Sequence, residues 1–109
     1  MARFVSGDVI VVPFPFTDLS SSKVRPALVL AALTRGDLIL CQITSQSRHD
    51  GYSISLFAED FERGHLSVDS FIRPNRLFTV DQSVILYTAA KVRAAKLNEV
   101  RARIRSLFA

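Results

Sequence analysis

The chain has 109 residues, 49% of them apolar and 22% charged, which suits one globular domain over residues 1–109 and excludes a disordered or fibrous polymer. Its formal net charge of +4 favours a polyanionic or acidic partner without separating RNA, DNA, a membrane surface and an acidic protein. Its single cysteine, Cys41, excludes an intrachain disulfide framework and a multi-cysteine zinc site.

The N-terminal stretch is interrupted by Gly7, Asp8, Pro13 and Pro15 and does not read as a secretion signal. No apolar run approaches the ~20 residues of a spanning helix, so no membrane role and a cytoplasmic location are expected. Asp8–Val12 is a β-branched run that predicts a first strand closed by Pro13 and Pro15, and the Ser-rich stretch from Thr17 to Lys23 predicts a solvated loop. Arg25–Ala31 predicts a second strand with Pro26 at its start, where a missing N–H is tolerated. Arg35-Gly36-Asp37 supplies turn chemistry, and Leu38–Thr44 predicts a third strand joined to the second as a hairpin.

Gln46–Gly51 reads as loop and Tyr52–Phe57 as a short strand, while Glu59–Gly64 suggests a turn or brief helical piece. Ser70–Arg73 and Ser83–Tyr87 are the last strand candidates, with Pro74-Asn75 as punctuation between them. Val100, Ile104 and Leu107 then recur at helical spacing, with Asn98 as the expected N-cap and Leu97 packing back on the first turn. The sum is mainly β with a C-terminal α-helix: a small, strongly curved antiparallel barrel or sandwich.

No Gly-rich phosphate loop, nucleophile elbow or metal-spaced histidine pair appears. Cys41, inside an apolar strand, reads as a small buried hydrophobe. Of the two histidines, His49 is the better candidate proton shuttle than His65, because Arg48 and a polar loop surround it. The more informative pair is Arg25, between a solvated loop and an apolar strand, and Thr44, at the close of another. In the expected hairpin both stand at one end of the sheet. There a planar guanidinium and a hydroxyl could stabilise charge on a phosphate, with no metal required. The same residue types also suit a solvated surface arginine and an ordinary strand threonine.

The segments GDVIVVPFPFTDLSSSKVRPALVLA, ILCQITSQ and SFIRPNRLFTVDQSVI resemble, in order, the blocks of the PemK/MazF family of toxin ribonucleases. With the terminal helix they cover nearly the whole chain. The resemblance implies an SH3-like barrel, a homodimer, a cognate acidic antitoxin and cofactor-free cleavage of single-stranded RNA. It implies Arg25, in the RP motif, and Thr44, in the ITxQ motif, as catalytic residues, and attack of a 2′-hydroxyl on the adjacent phosphorus. Some members carry an acidic residue before the arginine; here Val24 stands there, so the proton acceptor is unassigned. Phe14, Phe16, Thr17, Lys23, Gln46, Arg48 and His49 are the expected RNA-binding residues, combining basic groups with aromatic platforms. Arg73 and Arg76 could extend the basic surface. The rival readings are a non-enzymatic gyrase poison of the CcdB type on the same barrel, and an interaction module that has lost toxicity.

Overall fold

The computed structural model describes residues 3–14, 23–47 and 49–109, and of Phe14 only the backbone. Among them the chain forms β1 (Asp8–Phe14), β2 (Lys23–Ala32), β3 (Asp37–Thr44), β4 (Ile54–Leu56), β5 (Phe61–Gly64), β6 (Ser70–Asp81), β7 (Tyr87–Val92) and α1 (Ala94–Leu107). The strands make one antiparallel sheet in the order β4-β6-β3-β2-β1-β7-β5. The two edge strands, β4 and β5, are joined only by Phe57 to Asp60. A flat sheet of that width would separate its edges by roughly 29 Å, whereas so short a link spans about half of that. The sheet must therefore curl until its edges meet, giving the curved, half-closed barrel expected from the sequence.

Side-chain alternation divides the interior in two. Val9, Leu28, Cys41, Ile43, Ile54, Leu56 and Ile72 pack on the concave side, under Val100 of α1. Ile10, Val12, Ala27, Val29, Leu38 and Leu40 face the other way, beneath Phe4 and the partly buried Phe78, Val80 and Ile85. Burial pushes the Cys41 thiol up to about 12.

Helix α1 is pinned to the barrel edge by a buried lysine. Lys96 Nζ donates to the Ser55 carbonyl at 2.9 Å and to Glu99 Oε1 at 3.0 Å, and stands 3.7 Å from Asp60 Oδ2. The helix begins at Ala94, four residues before the expected Asn98 cap. Ala94, Ala95, Lys96 and Leu97 are strong helix formers, and the Arg93 carbonyl accepts from the Lys96 and Leu97 N–H groups, so no side-chain cap is needed.

Four strand expectations are also corrected. β1 continues through Pro13, because β7 pairs with it only as far as Val11 and leaves that flank open. β6 runs unbroken past Pro74-Asn75. Its pairing with β3 jumps from Arg73–Gln42 to Leu77–Cys41, so Pro74, Asn75 and Arg76 form a bulge, not a break. The helical piece near Glu59 exists as one 3₁₀ turn, Ala58–Asp60, but Phe61–Gly64 is strand. Residues Gln82–Val84 are another such turn, held by the Asp81 carboxylate accepting from the Ser83 N–H at 2.8 Å. The last strand therefore starts at Tyr87, where the expected one ended, and uses the weakly β-prone Thr88–Val92.

Candidate active site

The hairpin of β2 and β3 brings Arg25 and Thr44 to one end of the sheet. Pairing runs to Ala27 opposite Gln42, and Arg25 and Thr44 each lie two residues beyond that last pair. Paired residues share a face and side chains two apart along a strand return to it, so Arg25, Gln42 and Thr44 belong to the same face as Ala27. Arg25 is half-buried beside Val12 of β1, and among the described residues no carboxylate pairs with it. Thr44 is buried, and its Oγ1 accepts from the Gln46 N–H at 3.2 Å, which turns the chain out of β3. Across from Thr44 lies Phe71 of β6, whose ring meets Phe57 edge-on at 6.1 Å. A guanidinium with no carboxylate partner among the described residues, on the same face as an oriented hydroxyl, can bind an anion such as a phosphate.

A polar cluster continues the same face. Arg73 of β6 is the cross-strand partner of Gln42, and its guanidinium lies 3.6 Å from Asp50 Oδ2. Asp50 Oδ1 accepts from the Tyr52 N–H at 2.9 Å, the Ser53 N–H at 3.1 Å and the Ser53 hydroxyl at 3.3 Å. The Tyr52 N–H above all, then Ser53 and the Arg73 charge, hold the Asp50 carboxyl below its ordinary value. The loop is also tied from behind: Arg103 of α1 donates to the Gly51 carbonyl at 3.2 Å and the Tyr52 carbonyl at 3.0 Å.

A cavity of about 660 Å³ opens at the same end of the barrel. Val11, Pro26 and Ile43 form its apolar walls, and Arg25, Ser45 and His65 its polar ones. Thr44 does not line it. Tyr87, Val24 and Val68 are exposed at its mouth. Beside His65, Gly64 at φ +69° brings the chain hard against β7, where a Cβ would collide with the Ala89 carbonyl oxygen.

The other expected site residues scatter. Lys23 is exposed two residues outward from Arg25, and Gln46 is exposed two residues beyond Thr44. His49 is exposed in the loop before β4, and it is His65, the histidine given less weight, that shares a cavity wall with Arg25. Phe16, Thr17, Arg48 and the side chain of Phe14 lie outside the described residues. Gln42 and Asp50 were missed; their only sequence signal is polarity, one inside an apolar strand and the other in a loop. Arg76 is exposed in the β6 bulge. Among the described residues no group of three His, Cys, Asp or Glu side chains could hold a metal ion, and no helix is long and apolar enough to cross a membrane.

Residues 6–108 match the family described as PemK-like, MazF-like toxin of type II toxin-antitoxin system. No curated protein matches the chain at a significant level. Among solved structures, the MazE–MazF complex of Deinococcus radiodurans, in one of its crystal forms, superposes with a TM-score of 0.80 at 23% identity over 99% of this chain and 97% of that one. MazF alone from the same organism gives 0.76 at 24% identity, with 96% of each chain covered. An endoribonuclease from a mycobacterial species, in complex with its cognate antitoxin, gives 0.76 at 12% identity over 97% of this chain and 95% of that one. At these identities the likeness is one of fold.

Proposed function

The chain belongs to the PemK-like, MazF-like toxins of type II toxin-antitoxin systems, and on that footing we propose that it is an endoribonuclease cutting single-stranded RNA in the cytoplasm. The observation that supports the reading is the β2–β3 pairing, which carries Arg25 and Thr44 to one end of the hairpin, with no carboxylate among the described residues neutralising the arginine. In the proposed reaction a ribose 2′-hydroxyl attacks the adjacent phosphorus, the bond to the 5′-oxygen breaks, and a cyclic phosphate and a 5′-hydroxyl are left. Arg25 binds the phosphate and stabilises the charge that builds on its oxygens, while Thr44 donates its hydroxyl hydrogen to one of them. Arginine is permanently protonated and therefore serves as charge, not as base. Val24 occupies the position where some relatives carry an acid, so the proton acceptor lies elsewhere.

We further propose that residues 1–109 act as one domain, as a homodimer, held inactive by an acidic antitoxin. MazE–MazF complexes of a relative and the basic balance of this chain support that partner. Lys23, Gln46 and His49 are proposed to line the RNA path, along with Phe14, Phe16, Thr17 and Arg48.

The test is incubation of the purified protein with long single-stranded RNA in excess EDTA, beside Arg25→Ala. Cleavage at a few short motifs is expected from the wild type, with the variant slower by roughly a hundredfold or more. Equal cleavage by both would remove Arg25 from the mechanism. No cleavage, together with inhibition of gyrase, would move the chain to the CcdB type.

A further inference from the structure

Three buried side-chain polar atoms among the described residues have no hydrogen-bond partner, and all three belong to one cluster: Gln42 Oε1, Asp50 Oδ2 and Arg73 Nε. Folded proteins pair nearly all such atoms, so a concentration of orphans in one place marks a site whose partners arrive from outside. The cluster begins two residues along β3 from Thr44 and on the same face, which is about 7 Å of strand. We infer that Gln42, Asp50 and Arg73 form a base-reading site that takes the edge of an amino-bearing nucleobase, adjacent to the phosphate bound at Arg25 and Thr44. This inference rests on the endoribonuclease reading.

The chemistry of the three atoms selects the ligand. Gln42 Oε1 and the ionised Asp50 carboxylate only accept, and Arg73 Nε only donates. The occupant must therefore present two N–H donors and one acceptor. A phosphate or a carboxylate offers no donor and would face two oxygens that repel it. Uracil presents a single N–H. Adenine, cytosine and guanine each present an exocyclic amino group beside a ring nitrogen or carbonyl, which supplies both donors and the acceptor.

Access follows from the weakest contact in the cluster. Arg73 and Asp50 approach only to 3.6 Å, beyond hydrogen-bond length, with side chains 13% and 27% exposed. An entering base replaces that contact with hydrogen bonds to each partner. Asp50 is meanwhile held in place through its other oxygen by Tyr52 and Ser53, and the loop by Arg103. The acceptor is thus presented on a fixed support, as a reading site requires.

The test uses short RNA oligonucleotides, 2′-O-methylated so that they cannot be cut, identical except for A, C, G or U at one position. Binding is read by fluorescence anisotropy for the wild type, Asp50→Asn, Gln42→Met and Arg73→Lys, each first checked for native circular dichroism. At one position the wild type should favour an amino-bearing base over uracil by about tenfold or more, and each variant should lose most of that preference. Gln42→Met conserves volume, so the test survives even if loss of Asp50 loosens its loop. Equal binding of all four bases, or an unchanged preference in all three variants, would overturn the inference and leave the cluster bridged by water or by a partner protein's amide. A base preference without cleavage of unmodified RNA would instead count against the endoribonuclease reading alone. Cleavage without base preference would do the reverse.

Discussion

Gly64→Ala should destabilise the fold far more than Gly51→Ala, although both glycines sit at positive φ. Gly64 has φ +69° and Gly51 φ +80°, so an alanine at either site pays a left-handed penalty of roughly 1–2 kcal/mol. Both substitutions also stiffen the unfolded chain, which offsets about 0.4–1 kcal/mol of that cost. The surroundings differ completely. A Cβ at Gly51 meets nothing within 4 Å, whereas one at Gly64 would stand 2.4 Å from the Ala89 carbonyl oxygen and 2.8 Å from the Ala90 Cα. Those atoms are backbone of β7 and cannot swing aside, so relief requires parting Gly64 from Ala90 at the end of the short β5–β7 ladder. Losing one or two backbone hydrogen bonds there adds about 1–3 kcal/mol. The expected totals are about 1 kcal/mol for Gly51→Ala and about 2–4 kcal/mol for Gly64→Ala. For a domain of this size each kcal/mol lowers Tm by roughly 4–8 °C, so calorimetry separates the two variants clearly. Equal losses in Tm would refute the argument, since the whole difference comes from the close approach to β7.

Arg103→Ala should free the loop after His49 without unfolding the barrel, because it removes two donors from the Gly51 and Tyr52 carbonyls; faster amide exchange at Tyr52 and Ser53 with Tm nearly unchanged is the expected pattern. Asp50 and Asp81 are both held below the ordinary 3.8 by hydrogen bonds, so their stabilising contribution is present above that pH and is lost as pH falls through their lower folded values. Tm should accordingly drop on acidification below about 4, and Asp81→Asn should show a shallower drop from a lower starting point. RNA affinity should fall with salt at a log–log slope of roughly −0.7 per phosphate neutralised, measured by titration from low to moderate salt. A flat response would argue against an electrostatic groove.

The parts of the fold legible in the sequence are those where residue type alone decides. The apolar, partly β-branched runs at Asp8–Val12 and Leu38–Thr44 are strands, and the 3.6-residue recurrence of Val100 and Ile104 is a helix face. What was not legible depends on partners distant in sequence. Pro74 looks like a stop until β3 is seen to accommodate it in a bulge, and Thr88–Val92 gains its strand character from pairing with β1 and β5. The helix start was misread because Asn98 offers a good cap, while the true first turn needs only the Arg93 carbonyl and good helix formers. The same distinction governs the site. Arg25 and Thr44 come to one end of the sheet by hairpin pairing, which a short connection makes readable. Gln42, Asp50 and Arg73 meet only because β6 pairs with β3 in a register reset by that bulge, and no local pattern announces it.

The single thiol gives this molecule a built-in gauge of its own opening. Cys41 lies at 0% exposure in the middle of β3, and its sulfur stays protonated up to about 12. Oxidants and alkylating reagents act on the thiolate, so the folded chain should be inert to them, and redox stress should leave it untouched. Any labelling must pass through separation of β3 from its neighbours. The labelling rate, compared with that of an unstructured cysteine peptide, therefore reports the free energy of parting the strand that ends at Thr44.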